Sequence, residues 1–311
     1  MTRPSVVARD QDRKPRKVHT GPGRLPHWTP HRLSGVGMRA IRVLLVTAAT
    51  MTVLASLGGA AVGSPPEPPT TMAALGDSIT RGHNACGWFF DCLDRSWSTG
   101  ESDKVDSHLQ RMAASNPDLT GNVYNNARAD ATSADLIAQA RQAVTQEADY
   151  VTVLVGAGDA CRATTAEMTS AEEFGDNVTA ALTVLAESET PRLLIASVPD
   201  LIRLWEIGHH SIDVRNTWML SGACPTALSH PDSTDPDDEN RRQTVAHRLD
   251  EYNVQLAAAC EGYAGECVYD GGAVHDHAFT LDHISAWDYR HPNRSGQALL
   301  AEVTWSAMQR M

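Results

Sequence analysis

The sequence predicts an α/β fold, a parallel sheet covered by helices on both faces. Two observations predict it. Short apolar runs recur along the chain, and stretches with a helical period separate them. A third makes it feasible as one domain: 42% of the residues are apolar, enough for a full core over roughly 250 positions, although aromatics are only 5%.

In chain order, residues 1–37 are rich in Pro, Arg, His and Gly and carry no apolar period. They read as a disordered leader, or as an untranslated extension if Met38 is the start. Met38-Arg39-Ala40-Ile41-Arg42 then introduces an uncharged, largely apolar stretch from Val43 to Val62, with small residues at Ala61 and Gly63. Two arginines, an apolar run and a small-residue exit form the pattern of a secretory signal over residues 38–63. A membrane anchor is the competing reading, because the run approaches the roughly 20 residues of a span. Its Thr, Ser and Gly content favours the signal, and with it an extracellular mature chain that is not stably inserted in a membrane. Residues 64–70 are a Pro-rich linker, and residues 71–311 are expected to form one domain.

Met72-Ala73-Ala74-Leu75, stopped by Gly76, predicts the first strand. Val123-Tyr124 predicts the second, Tyr150 to Val155 the third, Arg192 to Val198 the fourth and Cys267-Val268-Tyr269 the fifth. Leu136, Ala140 and Val144 share one helical face. Ser170 and Glu173 make a capping box ahead of Phe174, Val178, Leu182 and Leu185. Val245, Leu249, Tyr252 and Leu256 form a third helical face, and Leu299, Glu302 and Trp305 lie on the last helix, capped by Ser295. Residues 200–238 fit neither period and read as a long polar insertion. Within it Asp232, Asp235, Asp237, Asp238 and, just beyond, Glu239 read as a solvated loop; calcium binding is the lesser alternative, without an EF-hand pattern.

Charge is uneven. Residues 1–43 hold ten of the 26 basic side chains, so the remainder carries 36 acids against 16 bases. A body that acidic repels phosphate backbones, which excludes a nucleic-acid partner. Six cysteines in an exported chain read as disulfides. Local closure pairs Cys86 with Cys92 and Cys260 with Cys267, which leaves Cys161 with Cys224; this is one of 15 connectivities that six cysteines allow.

Ligands of a parallel α/β sheet bind outside the carboxyl ends of its strands. The loops there begin at Gly76, Asn125, Gly156 and Pro199, and a further one precedes the last helix. The first reads Gly76-Asp77-Ser78-Ile79-Thr80. A serine at a strand-to-helix turn presents its hydroxyl beside backbone N–H groups, as a nucleophile requires, although a capping serine is the commoner meaning. The last loop holds Asp288-Tyr289-Arg290-His291, in which the aspartate can orient the imidazole toward that serine. His275, Asp276, His277, Asp282 and His283 crowd nearby and could bind zinc. They lack an HExxH-type helix and read first as a polar loop. Trp88, Phe89, Phe90, Trp205 and Trp218 could line a substrate pocket or pack and anchor loops.

In that order, Asp77-Ser78 and Asp288-x-x-His291 resemble the SGNH (GDSL) hydrolase family, secreted esterases and lipases with a flavodoxin-like three-layer fold. The resemblance covers about Thr71 to Met308. Asn84-Ala85-Cys86-Gly87-Trp88 and Asp200-Leu201-Ile202-Arg203-Leu204-Trp205 look like a disulfide-bearing branch of it. It implies that Ser78 is the nucleophile, His291 the general base and Asp288 the orienting acid, with no cofactor. The substrate it implies is a small-molecule, lipid or acetylated-sugar ester.

Two positions depart from the family pattern. Asp130 stands about where a family glycine gives its backbone N–H to the oxyanion hole, beside that of Ser78. Gly158, in Gly156-Ala157-Gly158-Asp159, replaces an asparagine whose side chain donates to the oxyanion. Asn84, Asn125 and Asn126 are candidates to compensate. The expected protein is therefore a serine hydrolase attenuated by the lost donor. The alternative is a catalytically impaired binding or cell-surface module on the same fold.

Overall fold

The computed structural model describes residues 67–309 except Trp88, Ser188 and Glu189. The leader and signal expected over residues 1–63 lie outside the described residues. Five strands form one all-parallel sheet: β1 (Met72–Gly76), β2 (Val123–Asn125), β3 (Tyr150–Leu154), β4 (Arg192–Ile195) and β5 (Cys267–Tyr269). Their order is β2-β1-β3-β4-β5. This is the doubly wound order with a switch point between β1 and β3, where a crevice opens beyond the strand ends. Every residue of β1 and β3 is buried, which explains why both read as continuous apolar runs.

The helices are α1 (His108–Ala113), α2 (Leu136–Thr145), α3 (Ala157–Ala160), α4 (Ala171–Ala186), α5 (Leu201–Gly208), α6 (Ile212–Ser221), α7 (Pro225–Leu228), α8 (Pro236–Glu261) and α9 (Arg294–Gln309). Helices α2, α4 and α8 pack in sequence on one another. The expected faces are the buried ones: Phe174, Val178, Leu182 and Leu185 on α4, and Val245, Leu249, Tyr252 and Leu256 on α8. Ser170 caps α4 by accepting from the Glu173 N–H at 3.1 Å. Elsewhere, buried His108 joins α1 to β3 through the Tyr150 hydroxyl at 3.0 Å and to α9 through Thr304 Oγ1 at 2.8 Å. Burial pushes its imidazole down to about 3, so it stays neutral.

Two expectations need correction. The last helix is capped by Asn293, whose Oδ1 accepts from the N–H groups of Ser295 and Gly296. Leu299, Glu302 and Trp305 lie on it, and it buries Leu300, Ala301, Thr304 and Ala307, a stripe whose small and hydroxylated residues no apolar period registers. The insertion holds α5, α6, α7 and the start of α8. Its acidic run is a helix start, with Asp235 accepting from the Asp237 N–H at 2.9 Å, Pro236 following, and Asp237, Asp238 and Glu239 in the first turn. Acids and proline suit a helix N-terminus because its free N–H groups carry partial positive charge and one needs no partner.

Three disulfides, Cys86–Cys92, Cys161–Cys224 and Cys260–Cys267, close the described chain. No helix among the described residues is long and apolar enough to cross a membrane.

Candidate active site

β1 ends in Gly76, whose φ of +137° and close approach to β3 exclude a side chain; a Cβ there would lie 2.0 Å from the Leu154 carbonyl oxygen. Buried Gln139 of α2 clamps the same residue, accepting from its N–H at 2.7 Å and donating to its carbonyl at 3.0 Å. The turn that follows is held from the other side by Gln297 of α9. That side chain donates to the Ile79 carbonyl at 2.8 Å and accepts from the Trp97 N–H at 2.9 Å. Ser78, between these two clamps, has little freedom.

The structure brings Ser78, His291 and Asp288 together. Ser78 Oγ lies 2.8 Å from His291 Nε2, and His291 Nδ1 lies 2.5 Å from Asp288 Oδ2. A carboxylate only accepts, so Nδ1 carries the proton and Nε2 is left to accept from the serine. Asp288 Oδ1 accepts the N–H groups of Arg290 and His291 at 3.0 and 3.1 Å. Burial pushes the Asp288 carboxyl up, but the His291 bond and charge and these N–H groups outweigh it and hold it below the usual range. Burial pushes the His291 imidazole down more than Asp288 raises it, with Arg290 and His83 adding to the depression. The result is a neutral imidazole beside an ionised carboxylate.

Two further residues support this turn without a signal in the sequence. Asn84 Nδ2 donates to Asp288 Oδ2 at 2.8 Å across 204 positions of chain. Trp218 of α6 is buried and donates to the Tyr289 carbonyl at 2.9 Å, which anchors the insertion to the Asp288–His291 turn. Trp205 also packs, donating to the Pro231 carbonyl at 2.8 Å and lying under the Arg242 guanidinium. Of the candidate pocket aromatics, Phe89 and Phe90 are exposed, and Trp88 lies outside the described residues. Asp91 pairs with Arg81 and with His83 Nδ1, and the His83 ring meets His291 edge-on at 4.7 Å.

A pocket of about 240 Å³ opens over Ser78; Ala129, Asp130 and the insertion residues Ser221, Gly222 and Ala223 complete its wall. The Cys161–Cys224 disulfide ties that stretch of the insertion to the loop after β3.

The two departures take different forms. Asp130 adopts a φ of +58°, the left-handed backbone that glycine favours and aspartate tolerates. Gly158 is packed against the same loop: a Cβ there would lie 2.3 Å from the Ala131 carbonyl oxygen. Asp159, fully buried, draws that loop in by accepting from the Ser133 N–H and hydroxyl at 2.9 and 2.7 Å. Burial pushes its carboxyl up, against those hydrogen bonds. None of the three asparagines compensates for Gly158. Asn84 serves Asp288, Asn125 Nδ2 donates to the Thr80 carbonyl and Thr99 Oγ1, and Asn126 Nδ2 donates to Gln146 Oε1.

The histidine-rich loop disperses. His275 Nδ1 faces the Val198 carbonyl at 2.9 Å, His277 packs on Phe279, and His283 Nδ1 accepts from the Thr280 N–H. Among the described residues no three His, Cys, Asp or Glu side chains are grouped to hold a metal ion.

Residues 72–304 match the model of the GDSL-like lipase/acylhydrolase family. No curated protein matches the chain. Solved structures similar to it include a catalytic mutant of an acetylxylan esterase from Geobacillus stearothermophilus, at 16% identity and a TM-score of 0.48, covering 76% of this chain and 93% of that one. A carbohydrate acetylesterase family member from Sinorhizobium meliloti is 12% identical, with a TM-score of 0.47 and coverage of 77% and 98%. A putative GDSL-like lipase from Parabacteroides merdae is 13% identical, with a TM-score of 0.46 and coverage of 78% and 96%.

Proposed function

The chain belongs to the GDSL-like lipase/acylhydrolase family, and on that premise we propose that it is an exported serine esterase working through an acyl-enzyme. The observation that carries the reading is the continuous line Ser78 Oγ, His291 Nε2, His291 Nδ1, Asp288 Oδ2, at 2.8 and 2.5 Å. In it Ser78 attacks the ester carbonyl while its proton passes to His291 Nε2. Asp288 stabilises the imidazolium so formed, and the imidazolium returns the proton to the departing alcohol. Water then gives a proton to His291 and attacks the acyl-serine, releasing the acid and restoring Ser78.

The backbone N–H groups of Ser78 and Asp130 hold the oxyanion in this scheme. Loss of a third donor costs roughly 2.7–4 kcal/mol, or about 10²–10³ in turnover, which slows a triad enzyme without silencing it. Gly158 favours the rival reading, a binding module that has lost activity, because both its missing side chain and the crowding Ala131 carbonyl weaken the oxyanion side. Three disulfides and the signal pattern support export. The substrate class is a small-molecule, lipid or acetylated-sugar ester, reached without a cofactor.

The test is hydrolysis of p-nitrophenyl acetate and butyrate by the purified protein with disulfides intact, alongside Ser78→Ala. Turnover that disappears in the variant is expected. Equal rates in the two proteins would move the reading to the binding module.

A further inference from the structure

A second concavity meets the Ser78 pocket at the Asn84–Asp288 hydrogen bond: Asn84 borders the one and Asp288 the other. It has a volume of about 270 Å³, and Asn84, Arg95, Ser285, Trp287, Asn293 and Arg294 contribute to its wall. Two features set it apart from an ordinary surface groove. First, large rings stand in solvent beside it: Trp287 is 42% exposed, and Phe89, 60% exposed, meets it edge-on with centroids 5.7 Å apart. Phe89 and its exposed neighbour Phe90 sit in the short loop closed by Cys86–Cys92. In a chain with 5% aromatics, their gathering at one edge of a groove favours a ligand with an apolar face. Second, the wall between them is polar and incompletely bonded. Asn84, 1% exposed, uses Nδ2 on Asp288 but leaves Oδ1 without a partner among the described residues, and Arg95 Nε is likewise buried and unpartnered. Such atoms gain from a ligand that brings hydroxyl groups.

An apolar face with a hydroxylated edge is the surface of a pyranose ring. A lipid surface would use the rings but has no use for a polar wall with unsatisfied amide and guanidinium groups. We propose that this groove is a saccharide-binding subsite, in which a sugar ring stacks on Trp287 with Phe89 against its edge while its hydroxyls bond Asn84, Arg95 and Arg294. The subsite makes a glycan the alcohol portion of the ester. That last step rests on the esterase reading; binding at the groove is measured without it.

The experiment is calorimetric titration of the full Ser78→Ala protein, disulfides intact, with xylohexaose, cellohexaose and mannohexaose at up to about 10 mM. At least one is expected to bind with a dissociation constant of about a millimolar or tighter, and Trp287→Ala in the same background weakens it roughly tenfold. Phe89→Ala is the second variant, since its exposed ring leaves the core untouched, and a roughly threefold to tenfold loss is expected there. No binding by any hexaose, or binding that both variants leave unchanged, overturns the proposal. So does binding to phosphatidylcholine vesicles, lost in Phe89→Ala, from a protein that ignores the sugars. Sugar binding by a protein whose Ser78 form hydrolyses no ester leaves the groove standing and the esterase reading fallen. Ester turnover without sugar binding does the reverse.

Discussion

Under the proposed mechanism the pocket has a serine side and an oxyanion side, built from the same sheet, and they tolerate change differently. On the serine side the chemistry resides in side chains. Ser78, His291, Asp288 and Asn84 form one hydrogen-bonded line, and Gln139, Gln297 and Trp218 fix the backbones that carry it. On the oxyanion side the proposed chemistry relies largely on backbone N–H groups. Asp130 there keeps a left-handed φ without being glycine, and Gly158 has let the neighbouring loop close against α3. A function carried by a backbone direction survives a change of residue that keeps the dihedral. A function carried by a side chain does not, and its space is then taken by something else.

The largest effect that separates the two sides belongs to Asp288→Asn, which removes the acceptor that fixes the His291 tautomer. We expect turnover to fall about 10³–10⁴-fold in steady-state assays with little change in melting temperature. A loss under tenfold would place the chemistry elsewhere. Gly158→Asn sharpens the contrast from the other side. Restoring the amide in the present loop forces a Cβ against the Ala131 carbonyl, so we expect about 1–3 kcal/mol of destabilisation and no gain in turnover. A faster enzyme of unchanged stability would show that the donor alone was missing and the packing incidental.

Asn84→Ala removes one charge-assisted bond to Asp288. It should lower kcat about tenfold and leave KM for p-nitrophenyl acetate within about a factor of two. A change confined to KM would make Asn84 a substrate contact and not a positioning residue. The smallest effect concerns Asp77, the residue before the nucleophile. Burial pushes its carboxyl up to about 7, although the Ile79 N–H bonds Oδ1, and Oδ2 has no partner among the described residues. The contribution of a raised folded-state value is fully present below the unfolded value near 3.8 and is lost as pH rises from there through about 7. Asp77→Asn, which keeps the acceptor for Ile79, should therefore raise the melting temperature at pH 8 relative to wild type, by roughly 2–4 °C, and change it less at pH 4. An equal effect at both values would contradict a buried, titrating carboxylate.

Much of this molecule was legible before its structure, for physical reasons. β1 and β3 are buried on both faces and read as unbroken apolar runs. α4 and α8 each bury one stripe and read as helical periods. The Ser78 turn and the Asp288–His291 turn were legible because residues close in sequence perform each part. What sequence could not show depends on distant packing. Asn84 reaches Asp288 across the whole domain, and Trp218 finds the Tyr289 carbonyl only because α6 folds back onto the turn. The insertion showed no helical period because α6 has buried residues at only Val214 and Trp218 and no apolar stripe to detect. The start of α8 was readable in principle, since Asp235-Pro236-Asp237-Asp238-Glu239 is a capped, proline-led acidic turn. The capping set aside for a loop was visible; the length of the helix behind it settled the matter.

The central claim, a working triad beside an altered oxyanion hole, is tested most directly by trapping the acyl-enzyme. The protein is mixed with p-nitrophenyl acetate, quenched in acid and digested for mass spectrometry. One acetyl group is expected on the peptide containing Ser78, and little or none in a His291→Ala protein, where the Ser78 hydroxyl has no base to take its proton. A protein that releases p-nitrophenol while Ser78 remains unmodified at every quench time, or that acetylates equally after Ser78→Ala, would contradict it.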